Sequence, residues 1–121
     1  PVAAPVGADI NGNTYNLNAD TVAGNLAAAL QADKLVLLTD VAGILSQPEN
    51  PQSLLSTLTV KGIETLIENK IISAGMLPKV DACIVALKGG VNKTHIIDGR
   101  IPHAILLEIF TDRGIGTEIV R

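Results

Sequence analysis

The sequence predicts an α/β layer architecture with a mainly parallel sheet. Three observations carry that expectation. Compact apolar runs of strand length, such as Lys34 to Leu38 and Thr94 to Ile97, alternate with longer stretches of helical periodicity. Hydrophobic residues make up 47% of the chain and aromatic residues only 2%, so the core has to be built from Leu, Ile, Val and Ala. Such a core suits buried parallel strands covered by helices better than a sandwich or a base-stacking surface. With 121 residues and no internal repeat or low-complexity tract, the chain is long enough for one modest domain with a real core.

Taken in order, residues 1–6 read as a short extended piece that Pro1 and Pro5 confine to an end or an edge. Residues 7–13 contain Asn11-Gly12, the chemistry of a tight hairpin turn, and Thr14 to Leu17 returns as a short strand. Asn18 or Asp20 caps a helix whose Val22, Leu26, Ala29 and Leu30 share one face. The small residues Ala23, Gly24, Ala27 and Ala28 let that helix lie close against a sheet. Lys34 to Leu38, ending in Thr39-Asp40, reads as a strand buried on both faces. Gly43, Pro48 and Pro51 then interrupt regular structure between Val41 and Gln52. Thr59 caps a helix that turns Ile63, Leu66 and Ile67 inward and ends near Asn69-Lys70. Val80, Cys83, Ile84 and Leu87 repeat at helical spacing until Gly89-Gly90 stops them. Thr94 to Ile97 is a second buried strand, ending in Asp98-Gly99. Pro102 opens a last helix with Ile105, Leu106 and Ile109 inside, and residues 114–117 turn into a final strand, Glu118 to Val120.

Several function classes are disfavoured by composition. A formal net charge of -3 offers no basic footprint for nucleic acid. Cys83 is the only cysteine, which rules out a disulfide framework or a cysteine-based metal site, and its apolar helix face marks it as a core residue. No stretch is apolar for long enough to cross a bilayer, and the start lacks a signal-peptide pattern, so the expected setting is a reducing, aqueous, cytoplasmic compartment. A start at Pro1 reads as a fragment or a processed product.

Chemistry concentrates in Ile71-Ile72-Ser73-Ala74-Gly75-Met76-Leu77-Pro78-Lys79-Val80, where an apolar pair, a small-residue turn and a proline open a helix. The N–H groups and dipole of a helix start favour an anion, and a lysine there asks for a negative partner; phosphate fits. Asn16, Asn18 and Asp20 crowd a strand end and a helix start. Plain capping explains them, and so does a site in which Asp20 holds Lys79 toward a phosphoryl group by a charge-assisted hydrogen bond. In an open α/β sheet ligands collect beyond the carboxyl ends of the strands, so Thr39-Asp40, Asp98-Gly99 and the 71–80 turn are expected on one rim. Other signals are weak. No phosphate-loop or dinucleotide glycine signature is present, His95 and His103 fall in different elements, Asp98 and Arg100 flank a turn, and Ser56 and Ser73 have no adjacent histidine.

Five ordered segments resemble the C-terminal half of the acetylglutamate kinases, members of the amino acid kinase family. These are Tyr15-Asn16-Leu17-Asn18-Ala19-Asp20, Leu37 to Leu45, Gly75-Met76-Leu77-Pro78-Lys79-Val80, His95 to Arg100, and Leu107 to Thr117. The resemblance covers essentially the whole chain. It implies a three-layer α/β/α sandwich in which residues 1–121 form the nucleotide-binding C-terminal domain. Lys79 matches a catalytic lysine that stabilises charge on the transferring phosphoryl group, Asp20 the aspartate that orients the catalytic lysines, and Asn16 a residue that holds acetylglutamate. Asp40, Val41, Ala42, Gly43, Ile44 and Leu45, with Ile71, Ile72 and Ser73, match segments that line the nucleotide. The implied reaction is ATP-dependent phosphorylation of N-acetyl-L-glutamate, with Mg2+ carried largely by the phosphates.

The same resemblance implies a homo-oligomeric full-length enzyme, a PII-type signalling partner, and a plastid stroma location for a plant source. It also implies feedback arginine near His95, Glu108, Gly114 and Gly116. The alternative for these residues is that His95 packs within its strand and Glu108 lies on the exposed face of the last helix. The family's Lys-x-Gly-Gly segment, its second catalytic lysine and most of its acetylglutamate pocket have no counterpart in these residues. Ala74 stands where many relatives have glycine. The chain is therefore expected to turn over only with the missing half. Other amino acid kinases, and a non-catalytic nucleotide-binding or regulatory module, are the alternatives.

Overall fold

A computed structural model describes residues 1–111 and 114–121; Asp112 and Arg113, within the Leu107 to Thr117 segment, lie outside the described residues. The Asn11-Gly12 turn closes an antiparallel hairpin of β1 (Val6–Ala8) and β2 (Thr14–Asn16), while residues 1–5 stay outside any strand. Asp9 fastens the hairpin by accepting the N–H groups of Asn11 and Asn13, the Asn13 side-chain amide and the Tyr15 hydroxyl. Asn18, not Asp20, caps α1 (Ala19–Ala29), because its Oδ1 accepts the Thr21 N–H.

After β3 (Lys34–Thr39), the proline-broken stretch holds a single 3-10 turn, Pro51–Ser53, and a lone antiparallel bridge between Leu45 and Leu54. It ends in β4 (Thr57–Thr59), a strand too short for a periodicity argument to find. Thr59 caps α2 (Val60–Glu68), which buries Ile63 as expected. Then come α3 (Leu77–Lys88), β5 (Lys93–Asp98), α4 (Ala104–Phe110) and β6 (Thr117–Val120).

The main sheet has strand order β3-β5-β6-β4. β3 and β5 are parallel, β4 and β6 are parallel, and β5 meets β6 antiparallel, so the sheet is mixed but mostly parallel. β6 begins beside the middle of β5, with Thr117 opposite Ile96, and runs back to set Ile119 opposite Thr94. The main core lies on one face of the sheet, where Leu37, Ile96 and Ile119 pack with Ile63, Val80, Cys83 and Leu87. The other face carries Lys34, His95 and Glu118, with Glu108 of α4 set against the first two.

Two helices turn opposite to the apolar pattern. In α1 the buried residues are Gly24 and Ala27, while Leu26 and Leu30 are exposed. In α4 only Ala104 is buried, and Ile105, Leu106 and Ile109 face outward because Glu108, on the inward side, is tied to Lys34 and lies beside His95. A buried charge pair outranks the apolar face in setting the roll of so short a helix.

The inward roll of α1 packs it chiefly on α3, with a smaller contact on β3. Asp20, Gly24 and Ala27 recur at i, i+4 and i+7 and so form one stripe. A Cβ added at Gly24 would sit 2.6 Å from the Ala82 carbonyl oxygen and 2.9 Å from the Ala82 Cα. At the far end the Gln31 side chain donates to the carbonyls of Ala28 and Gly89. The seam needs a residue without a side chain. Gly24→Ala should therefore destabilise the fold by roughly 1 kcal/mol or more in urea unfolding, although alanine is the better helix former by about 1 kcal/mol. An unchanged or raised midpoint would contradict the seam.

Candidate functional site

α1 and α3 each lead directly into the strand that follows, so both helices start at the rim where β3 and β5 end. There Lys79 Nζ donates to Asp20 Oδ2 at 3.1 Å, with both side chains partly exposed. Met76 stands at the N-cap of α3 without a side-chain cap hydrogen bond, and Pro78 lies in the first turn. The turn before it is closed by the N–H groups of Met76 and Leu77, which donate to the Ser73 carbonyl at 3.0 and 3.2 Å. Asn16 ends β2 and is exposed, two residues before the Asn18 cap.

Behind this rim lies a cavity of about 260 Å³. Its lining contains Val41, Gly43, Ile44, Leu45, Ile71, Ile72 and Ser73 from the two segments singled out in the sequence. Pro48, which interrupts regular structure, and Met76, inside the 71–80 stretch, complete it. Asp40 and Ala42 are exposed and stand outside this lining. The cavity is apolar except for Ser73 and backbone, which suits a flat, weakly polar ring. Any strongly anionic part of a ligand has to lie outside it, toward the start of α3.

A second cavity, of about 490 Å³, brings together His95, Glu108, Gly114 and Gly116 with Ser56, Thr57, Thr111 and Glu118. Glu108 is not on an exposed face: its side chain is only 6% accessible. Its Oε1 accepts from Lys34 Nζ at 2.5 Å and lies 2.8 Å from His95 Nδ1, and its Oε2 accepts the Ile115 N–H at 3.1 Å. Lys34 is the member that sequence reading missed. A charged residue opening an otherwise apolar strand was the available signal. Burial pushes the Glu108 carboxyl up, but hydrogen bonds from Lys34 and the Ile115 N–H, with the nearby His95, outweigh burial and leave it below its ordinary value. Burial pushes the His95 imidazole down, and Lys34 adds to this against the opposing pull of Glu108.

The remaining candidates have structural roles. Asp98 takes the N–H and Nε of Arg100 on one oxygen and Nη2 on the other, hydrogen bonds that hold its carboxyl down at about 2 and close the turn after β5. Burial pushes the Cys83 thiol up to about 11, as for a core residue. His103 precedes α4 with φ of 60°, apart from the His95 strand position. Among the described residues no group of three or more His, Cys, Asp or Glu side chains is set to hold a metal ion, and no helix is long and apolar enough to cross a membrane.

A sequence profile for the amino acid kinase family matches residues 1–98. The chain belongs to the amino acid kinase family. Among curated relatives, the acetylglutamate kinase of Moorella thermoacetica is 62% identical over 120 residues, 99% of this chain and 40% of that enzyme. The acetylglutamate kinase of Heliobacterium modesticaldum is 58% identical over 121 residues, 100% of this chain and 41% of that enzyme. This amino acid kinase chain thus spans about 40% of the length of the curated relatives it matches. A crystal structure of N-acetylglutamate synthase from Neisseria gonorrhoeae, complexed with coenzyme A and L-arginine, superposes with a TM-score of 0.85 at 34% identity, over 96% of this chain and 26% of that one.

The His95–Glu108 cluster gives a pH dependence of defined sign. Both groups bind protons less readily in the fold than in the open chain, so acid favours unfolding. Stability contributed by His95 is lost as pH falls below about 6.5, and that from Glu108 as pH falls below about 4.3. Thermal melts should therefore drop between pH 7.5 and 5.5, and His95→Gln should flatten that interval. A melting temperature that rises on acidification through this range would contradict the assignment.

Proposed function

We propose that this chain is the nucleotide-binding half of an acetylglutamate kinase, which transfers a phosphoryl group from ATP to the side-chain carboxylate of N-acetyl-L-glutamate in arginine biosynthesis. The observation that carries this reading is the Asp20–Lys79 pair, one helical turn along α3 from Met76 in the apolar cavity wall. Relatives named acetylglutamate kinase, 62% and 58% identical, support the choice of acceptor.

In this reading the cavity walls of residues 41–48 and 71–76 hold the adenine, and Ser73 offers the polar side chain among them. The triphosphate then runs toward the start of α3, which offers the positive end of the helix dipole. Lys79 balances negative charge on the transferring phosphoryl group, and the Asp20 carboxylate keeps the ammonium aimed. Asn16 contributes a hydrogen-bonding amide to the acetylglutamate side. Asp40 and Ala42 flank the nucleotide at the rim. Mg2+ is carried by the phosphates. Transfer needs several positive groups at once, so these residues alone bind nucleotide without turnover.

A second reading concerns regulation. The cavity around Glu108 offers a buried carboxylate of the right sign for a guanidinium, and a 34% identical synthase was crystallised with L-arginine. Feedback arginine at His95, Glu108, Gly114 and Gly116 follows, with Lys34 as a further member. A homo-oligomeric, cytoplasmic full-length enzyme and a PII-type partner belong to the same picture.

Calorimetry on the 121-residue chain tests both readings. Titration with Mg-ATP should give saturable binding, and L-arginine should bind wild type but not Glu108→Gln. A chain that is folded by circular dichroism yet takes up no Mg-ATP would exclude the nucleotide reading. Equal arginine isotherms for the two proteins would exclude the effector reading.

A further inference from the structure

We propose that Thr117 is a positioning residue for the nucleotide; the inference rests on the nucleotide reading above. Thr117 opens β6 and is completely buried. Its Oγ1 accepts the Ile44 N–H at 2.8 Å and donates to the Leu55 carbonyl at 2.7 Å. One hydroxyl therefore pins both arms of the 40–56 loop, reaching 73 and 62 residues back along the chain.

Between these two anchor points the arms are tied by the Leu55 N–H, which donates to the Ile44 carbonyl at 2.9 Å, and by the Leu45–Leu54 bridge. The arm held at Ile44 supplies Val41, Gly43, Ile44 and Leu45 to the cavity wall. Gly43 has φ of 146°, and a Cβ there would sit 2.6 Å from Thr117 Oγ1 and 2.8 Å from Leu54 Cδ1. The hydroxyl thus fixes how deeply this arm lies, and with it the width of the slot facing Ile71 and Ile72. The clamp is itself anchored, because Ile115, two residues earlier, donates its N–H to the buried Glu108 carboxylate. Replacing the hydroxyl by a methyl keeps the shape but strands a buried N–H and a carbonyl, which the arm can satisfy only by moving.

The test compares Mg-ATP affinity of the 121-residue chain with that of Thr117→Val, Thr117→Ser and Thr94→Val. Thr94 is an internal control: it is equally buried, on β5, and its Oγ1 meets no hydrogen-bond partner among the described residues. Thr117→Val should weaken binding about tenfold or more, Thr117→Ser should restore it to within about threefold of wild type, and Thr94→Val should leave it unchanged. Should Thr117→Val fail to fold, Thr117→Ala carries the same expectation. Wild-type binding with an unaffected Thr117→Val overturns the proposal alone. Equal losses in Thr117→Ser and Thr117→Val also overturn it, since methyl packing would then be responsible. Absence of binding by folded wild type removes the nucleotide reading and this inference with it.

Discussion

Everything at the rim depends on how closely α1 and α3 approach. The two helices start together and run side by side, joined at one end by Asp20 and Lys79, in the middle by Gly24 against the Ala82 backbone, and at the far end by Gln31 on Gly89. Small residues at the contact let the backbones come near, and nearness brings a carboxylate from one first turn to an ammonium on the other. The ion pair does little for stability, because both side chains are more than a fifth exposed and such pairs contribute about 1 kcal/mol or less. Its effect is directional. Without the seam, Lys79 would be one more mobile surface cation.

The second constraint is the one hydroxyl of Thr117. It draws the irregular 40–56 loop onto the edge of β6, and that loop supplies one wall of the cavity while residues 71–76 supply the other. The cavity of the Glu108 cluster lies behind the same strand start, lined by Leu54, Ile115 and Gly116. Two chemically different cavities therefore depend on adjacent residues, Gly116 lining one and Thr117 holding the loop that lines the other. One is apolar, with Met76 of its lining three residues before Lys79. The other is built on a buried carboxylate held by Lys34 and the Ile115 N–H, with His95 beside it.

Much of this was legible in the sequence for identifiable reasons. Strands β3 and β5 announced themselves as apolar runs, the hairpin by Asn11-Gly12, and α2 by its Thr59 cap. Only β5 is buried as expected: β3 lies at the sheet edge and leaves Leu38 exposed. The segments at 40–45 and 71–73 were matched to the nucleotide by resemblance, and the fold draws all of them but Asp40 and Ala42 into one cavity lining. What stayed hidden was set by contacts distant in sequence. Periodicity counted Leu26 and Leu30 as one face of α1, yet the buried stripe is the small-residue one because close helix contact demands it. Periodicity likewise turned Ile105, Leu106 and Ile109 inward in α4, where Glu108 lies inward because Lys34 is 74 residues away in sequence but adjacent in space. No local pattern reports that Thr117 completes a loop begun at Asp40.

The proposed function requires Asp20 and Lys79 to act as one unit. A double-mutant cycle on turnover, measured in a full-length kinase carrying this chain, tests it most directly. Lys79→Ala should lower kcat by roughly a hundredfold or more, on the scale of removing a preorganised charge from a transition state. Asp20→Asn should cost less, and the double variant should be about as slow as Lys79→Ala alone. Losses that multiply across the double variant would mean that the aspartate does not work through the lysine.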